Sequence, residues 1–156
     1  MRAFLRHGFL ALLFPLMLLA GCTPPGPPLG ASALPPVPAG AARIFVYRQL
    51  EPYESREFAR VLFNGAPAGA VGNGAVFYRD VQPGPTSITI VGTEPFPNQF
   101  KTVLLRPGET AYARIESLSA WTTCMHLSDC YPTFSVRLID PATALGEMQA
   151  LALSAG

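Results

Sequence analysis

The groups most able to do chemistry are gathered in one short stretch. Cys124, His126, Asp129 and Cys130 all fall within the heptapeptide CMHLSDC. Thiolate, imidazole and carboxylate are the ligands that zinc takes. Their spacing here is crowded and lacks the C-x₂-C pair of structural zinc sites, which argues against a metal. His126 is the one histidine beyond His7, so a Ser-His-Asp or Cys-His relay in a folded domain would have to run through it. No G-x-S-x-G elbow occurs to present a nucleophile, and an exposed loop imidazole is the simpler reading. A second cluster, Glu51, Glu54 and Glu57, stands in LEPYESRE. Paired carboxylates serve glycoside hydrolysis or bind calcium. Arg48, Arg56 and Arg60 are interleaved with them, which points instead to a solvated, ion-paired loop. Gly65, Gly69, Gly72 and Gly74 could cradle a phosphate, but no Lys-Ser/Thr pair follows and no helix is due there, so they read as turn residues. Tyr53, Phe96, Trp121 and Tyr131 fall in expected loops. Aromatics held there by a rigid scaffold can form a binding patch for a protein or a sugar, or can cap the open ends of a sandwich.

The remaining thiol has a different setting. Arg2 and Arg6 precede an uncharged apolar run, Gly8–Leu18, of 11 residues. A membrane-spanning helix needs about 20, so the run reads as the core of an export signal. Leu19-Ala20-Gly21-Cys22 follows. This tetrapeptide resembles the lipobox of bacterial lipoproteins. The resemblance implies alkylation of the Cys22 thiol by diacylglycerol and cleavage before it, leaving residues 1–21 as a removed signal. Acylation of the new amino group adds further chains, and two or three hold a protein stably where one does not. Thr23 stands where an aspartate would resemble the inner-membrane retention signal of enteric bacteria, which in a Gram-negative source favours the outer membrane, facing the periplasm. With Cys22 lipidated, Cys124 and Cys130 remain, and an even pair in an exported domain reads as a disulfide closing a small loop.

Residues 22–42 would then form the lipidated tether. Seven prolines lie between Thr23 and Ala41, and no charge occurs between Cys22 and Arg43. Such a stretch favours extended polyproline II and would reach roughly 60 Å if straight. It reads as a spacer lifting the domain off the membrane.

The elements that must position these groups are strands. Residues 43–156 alternate short β-rich runs with turn signals. Strands are expected at Arg43–Arg48, Phe58–Phe63, Ala68–Val71, Ala75–Val81, Thr86–Val91, Gln99–Leu105, Thr110–Ser117 and Thr133–Ile139. Asn64-Gly65, Asn73-Gly74, Pro83-Gly84 and Pro107-Gly108 turn the chain between them. Asp140 and Pro141 are cap and first residue of a short C-terminal helix, with Ala144, Leu145, Met148 and Leu151 at helical spacing. The fold class is all-β: an antiparallel sandwich of seven to eight short strands. Of 156 residues, 49% are hydrophobic and 13% charged, enough for one core and too apolar for disorder. Of the 11 basic residues two lie in the signal, so nine face 10 acidic ones in the mature chain. That balance excludes the basic excess of nucleic-acid binders.

The succession VLFNGAPAGAVGNGAVFYRDV, QPGPTSITIV and LLRPGETAYARIE is similar to a family of small bacterial lipoproteins with a transthyretin-like, PEGA-related β-sandwich domain. The likeness covers about residues 42–118, and the cysteine-bearing stretch 119–132 departs from it. It implies an envelope domain without established catalysis, and no active-site residue carries over. The function expected is that of a membrane-anchored interaction or accessory module with an envelope protein partner. The alternative is a small-ligand or glycan-binding domain, for instance for peptidoglycan. No cofactor is called for. Cys22→Ser is expected to abolish incorporation of labelled palmitate and to move the protein from the membrane to the soluble envelope fraction. Palmitate retained by the variant would count against lipidation there.

Overall fold

The computed structural model describes residues 26–52, 57–91, 98–118 and 133–156. Among the described residues, nine strands and one α-helix are arranged as a β-sandwich. In chain order the strands are β1 (Ala42–Tyr47), β2 (Ala59–Phe63), β3 (Ala66–Val71), β4 (Ala75–Val81) and β5 (Gly84–Ile90), then β6 (Phe100–Leu105), β7 (Thr110–Leu118) and β8 (Thr133–Leu138). Helix α1 (Pro141–Met148) and a two-residue strand β9 (Ala152–Leu153) follow. One sheet runs β8-β7-β1-β4-β9 and the other β3-β2-β5-β6. Among the described residues no helix is long and apolar enough to cross a membrane.

Alternation dictates the inner faces. In β2, Ala59, Val61 and Phe63 are buried while Arg60 points to solvent. In β5, Thr86, Ile88 and Ile90 are buried, with partly exposed Ser87 and Thr89 between them. These side chains meet Ile44, Val46, Phe77, Ala113, Ile115 and Val136 from the other sheet in one continuous core. Asn64 and Gly65 both take positive φ, at 50° and 81°, as the two-residue hairpin between β2 and β3 requires. The Asn64 carboxamide then accepts a hydrogen bond from the Ser87 amide at 2.8 Å, tying that turn to β5.

Three features depart from the sequence reading. The sandwich is mixed, not wholly antiparallel: β1 pairs with β7 in parallel, as β4 does with β9. The chain crosses to the second sheet twice between β1 and β7, so these neighbours are reached from the same end. Second, β9 is too short for periodicity to reveal. Third, much of the Pro-rich segment is not a free spacer. Leu29 is buried, a single turn of 3₁₀ helix covers Leu29–Ala31, and Pro28 bridges to Ala152. Pro28 has no amide hydrogen to give, so its neighbours carry the pairing: the Leu29 amide donates to the Leu151 carbonyl at 2.8 Å, and Pro27 accepts from the Leu153 amide at 2.9 Å.

This segment and α1 cover the outer face of the five-stranded sheet. A second apolar cluster forms there from Leu29, Phe45, Tyr47, Val76, Tyr112, Ala144, Met148 and Leu151. The Asp140 side chain caps α1 by accepting from the Thr143 amide at 3.0 Å, a bond that holds its carboxyl below the usual range. Of the residues at helical spacing, Ala144 and Met148 are buried, whereas Leu145 is 50% exposed. Met148→Ala should therefore destabilise the fold by about 2–5 kcal/mol in chemical denaturation. Leu145→Ala should stay within about 0.5 kcal/mol. Equal effects would mean that α1 does not pack as described.

Candidate functional site

Two polar clusters sit on the outer side of the five-stranded sheet, each built by strand register. The parallel pairing of β1 and β7 sets Tyr47 beside Arg114. The antiparallel pairing of β7 and β8 sets Arg114 beside Arg137. Glu116 follows Arg114 by two residues and so shares its face. Helix α1 then lowers Glu147 onto the group. The Tyr47 hydroxyl donates to Glu147 Oε2 at 2.5 Å, and Arg114 Nη1 donates to Glu147 Oε1 at 2.7 Å. Arg114 Nη2 reaches Glu116 Oε1 at 2.6 Å, and Arg137 Nη1 reaches the same oxygen at 3.2 Å. Two guanidinium groups thus face two carboxylates. Beside them opens a cleft of about 280 Å³ lined by Arg48, Gln49, Glu51, Arg114, Ile115, Glu116 and Ser117.

The second cluster centres on Arg43, which is 3% exposed. Its Nε and Nη2 donate to the two Asp80 oxygens at 2.7 and 3.0 Å. Nη1 donates to the Pro35 carbonyl at 2.7 Å, and the guanidinium lies 4.3 Å from the Tyr78 ring centroid. The hydrogen bonds to Asp80 hold its pKa above the ordinary arginine value. Nearby, Arg79 Nη2 donates to the Ala155 carbonyl at 2.9 Å, at the rim of a cleft of about 370 Å³ bounded by Tyr78, Asp80, Leu153 and Ser154.

Both clusters satisfy themselves. Among the described residues no buried side-chain nitrogen or oxygen lacks a partner, and no three His, Cys, Asp or Glu side chains gather where a metal could sit. Such an arrangement fixes α1 and the N-terminal segment to the sheet.

Most of the residues singled out from sequence fall elsewhere. Cys22, Tyr53, Phe96, Trp121, Cys124, His126, Asp129, Cys130 and Tyr131 lie outside the described residues. Of the carboxylate stretch, Glu51 and Glu57 are exposed. The Glu51 amide donates to Asn73 Oδ1 at 2.9 Å, while Asn73 Nδ2 donates to the Glu51 carbonyl at 2.7 Å. Arg48 corrects the solvated-loop reading. It is 2% exposed, donates to the Glu57 carbonyl at 2.9 Å and stacks 4.9 Å from the Phe134 ring centroid. The Tyr47–Glu147 cluster went unseen in sequence because its members come from four elements. Only the R-x-E spacing of Arg114 and Glu116 hinted at a shared face.

The chain matches no protein-family model and no curated protein sequence.

Tyr47 carries a measurable signature. Burial, and then its bond to Glu147, push the phenol above its ordinary value of 10.0. The folded protein therefore keeps this proton to higher pH than the unfolded chain does. Its contribution is full below about pH 10 and is lost as pH climbs toward the folded value. Tyr112, raised by burial alone, adds in the same direction. Tyr47→Phe should cost about 1 kcal/mol at neutral pH and flatten the fall of stability above about pH 10. Denaturation midpoints at pH 7 and above pH 10 read both effects; an unchanged alkaline slope would remove Tyr47 from this role.

Proposed function

We propose that this chain is a lipid-anchored protein of the bacterial cell envelope. Its transthyretin-like, PEGA-related sandwich acts by binding, as an interaction or accessory module at the outer membrane, facing the periplasm. The anchor rests on Cys22 and its leader. The binding role rests on one observation: the two sheets are finished differently. The five-stranded sheet is covered by α1 and the Pro-rich segment, whereas no described element covers the four-stranded one.

The open sheet presents Leu62, Pro85, Ser87, Thr89, Phe100, Thr102 and Leu104 outward, as the registers of β2, β5 and β6 require. Phe100 is 64% exposed and Leu104 72%. Arg60 is the one charged side chain on this face among the described residues of its four strands. One of its two edge strands, β6, pairs among the described strands with β5 alone. An edge of this kind takes an added strand from a partner, with main-chain hydrogen bonds giving affinity and alternate side chains giving specificity.

A photoreactive residue placed at Leu104 in the full lipidated protein should capture one envelope protein in cells. The same group at Leu145 on α1 should not. Matching products from both positions, or capture of cell-wall glycan alone, would set this reading aside.

A further inference from the structure

The docked Pro-rich segment changes where the domain can stand. Composition assigns it a spacer's length, yet from Pro27 onward the chain belongs to the domain. Pro27, Leu29 and Gly30 are held to residues 149–153 by backbone hydrogen bonds of 2.8–3.0 Å, and Leu29 sits in the second apolar cluster. Farther along, Leu34 packs on that cluster and Arg43 holds the Pro35 and Pro36 carbonyls. Gly26 also lies against β9, where a Cβ would fall 1.9 Å from the Leu153 carbonyl oxygen. Only Thr23, Pro24, Pro25 and Gly26 separate Cys22 from Pro27. Five Cα steps span at most about 18 Å.

The docked end of the segment, Pro27–Gly30, lies at one edge of the sandwich. β9 is the last strand of its sheet, and β8 closes the other end of that sheet. β3 lies against β4, near β9, while β6 lies against β8. Four inter-strand spacings put the β9 and β8 edges about 19 Å apart. The β9 edge is also chemically suited to a bilayer surface. Residues 22–42 and 148–156 contain no Asp, Glu, Lys or Arg, and the charged side chain bonded to this edge, Arg79 on the Ala155 carbonyl, offers a cation to anionic headgroups.

We infer that the domain rests against the membrane surface with its β9 edge toward the lipid headgroups and its β6–β8 edge toward the periplasm. The inference depends on the lipidation of Cys22 proposed above. It adds an orientation and a second membrane contact that lipidation alone does not specify. The docked segment acts as a strap that shortens the tether and selects which side of the sandwich meets the lipid.

The test uses full-length protein isolated from membranes. It is reconstituted in vesicles of phosphatidylethanolamine and phosphatidylglycerol carrying a headgroup quencher. A fluorescent amino acid is encoded at Ala155, near β9, or at Thr102, on β6. Quenching should be several-fold stronger at Ala155. With Leu29→Asp, which drives the strap off its apolar seat, the two positions should become alike while the protein stays on the vesicles. The unmutated strap supplies the primary comparison, so the conclusion does not require that variant to fold. Lipid found on Cys22 with equal quenching at both positions would overturn the orientation and leave the anchor standing. Intact protein with no lipid on Cys22, read by mass, would overturn both.

Discussion

Both faces of β1 are withdrawn from water, and the rest of the molecule is arranged to make that possible. Ile44 and Val46 are wholly buried against the second sheet, and Phe45 and Tyr47 are buried on the opposite side. A sandwich supplies only the first of these covers. The second must come from α1, the strap and β9, which explains why, among the described residues, a third layer lies on the side of the five-stranded sheet. Arg43 lies on the same strand and goes under with it. A buried guanidinium is tolerable when paired and fully hydrogen-bonded, and Asp80 with two proline carbonyls provides that. The strap is thus held by apolar contact at Leu29 and by a charge-assisted bond at Pro35.

The same constraint explains the ring of polar groups around α1. A helix of eight residues has little stability by itself. Its capping aspartate, the buried Ala144 and Met148, and the link from Glu147 to Tyr47 and Arg114 act together. These bonds bring β1, β7 and α1 into one unit. The uncovered sheet, by contrast, owes its hairpins to turn chemistry and its inner face to alternation. Its outer side is under no comparable demand, so exposed apolar groups there are compatible with recognition.

Local signals proved the readable part of the sequence. All eight strands read from patterning are present, with ends shifted by a residue or two, because alternation at Val61 and Ile88 and turn pairs such as Asn64-Gly65 act within a few positions. Asp140-Pro141 marked the helix start for the same reason. What escaped is non-local. Nothing along the chain reports that β1 and β7 run parallel, or that Pro27–Leu29 meets a strand of two residues far away in sequence. Proline richness implied extension, and the segment is largely irregular, but extension does not decide between solvent and a seat on the protein. Arg48 misled for a related reason: charge next to glutamates suggested solvent, whereas a carbonyl and an aromatic face accommodate it indoors. The chemistry-bearing thiols and loop aromatics fall outside the described residues, so the site that can be described came from register and not from motif.

The strap also sets an order of events. Synthesis proceeds from the N-terminal end, so Pro27–Leu29 is made well before residues 149–153. The pairing between them closes one of the longest loops in the fold, and such contacts form late because the intervening chain must first be organised. Until then Leu29, Phe45 and Tyr112 lack part of their cover. Completion of the domain is thereby tied to the arrival of β9, and a chain stalled short of it would display an apolar seat for the cell's chaperones and proteases to find.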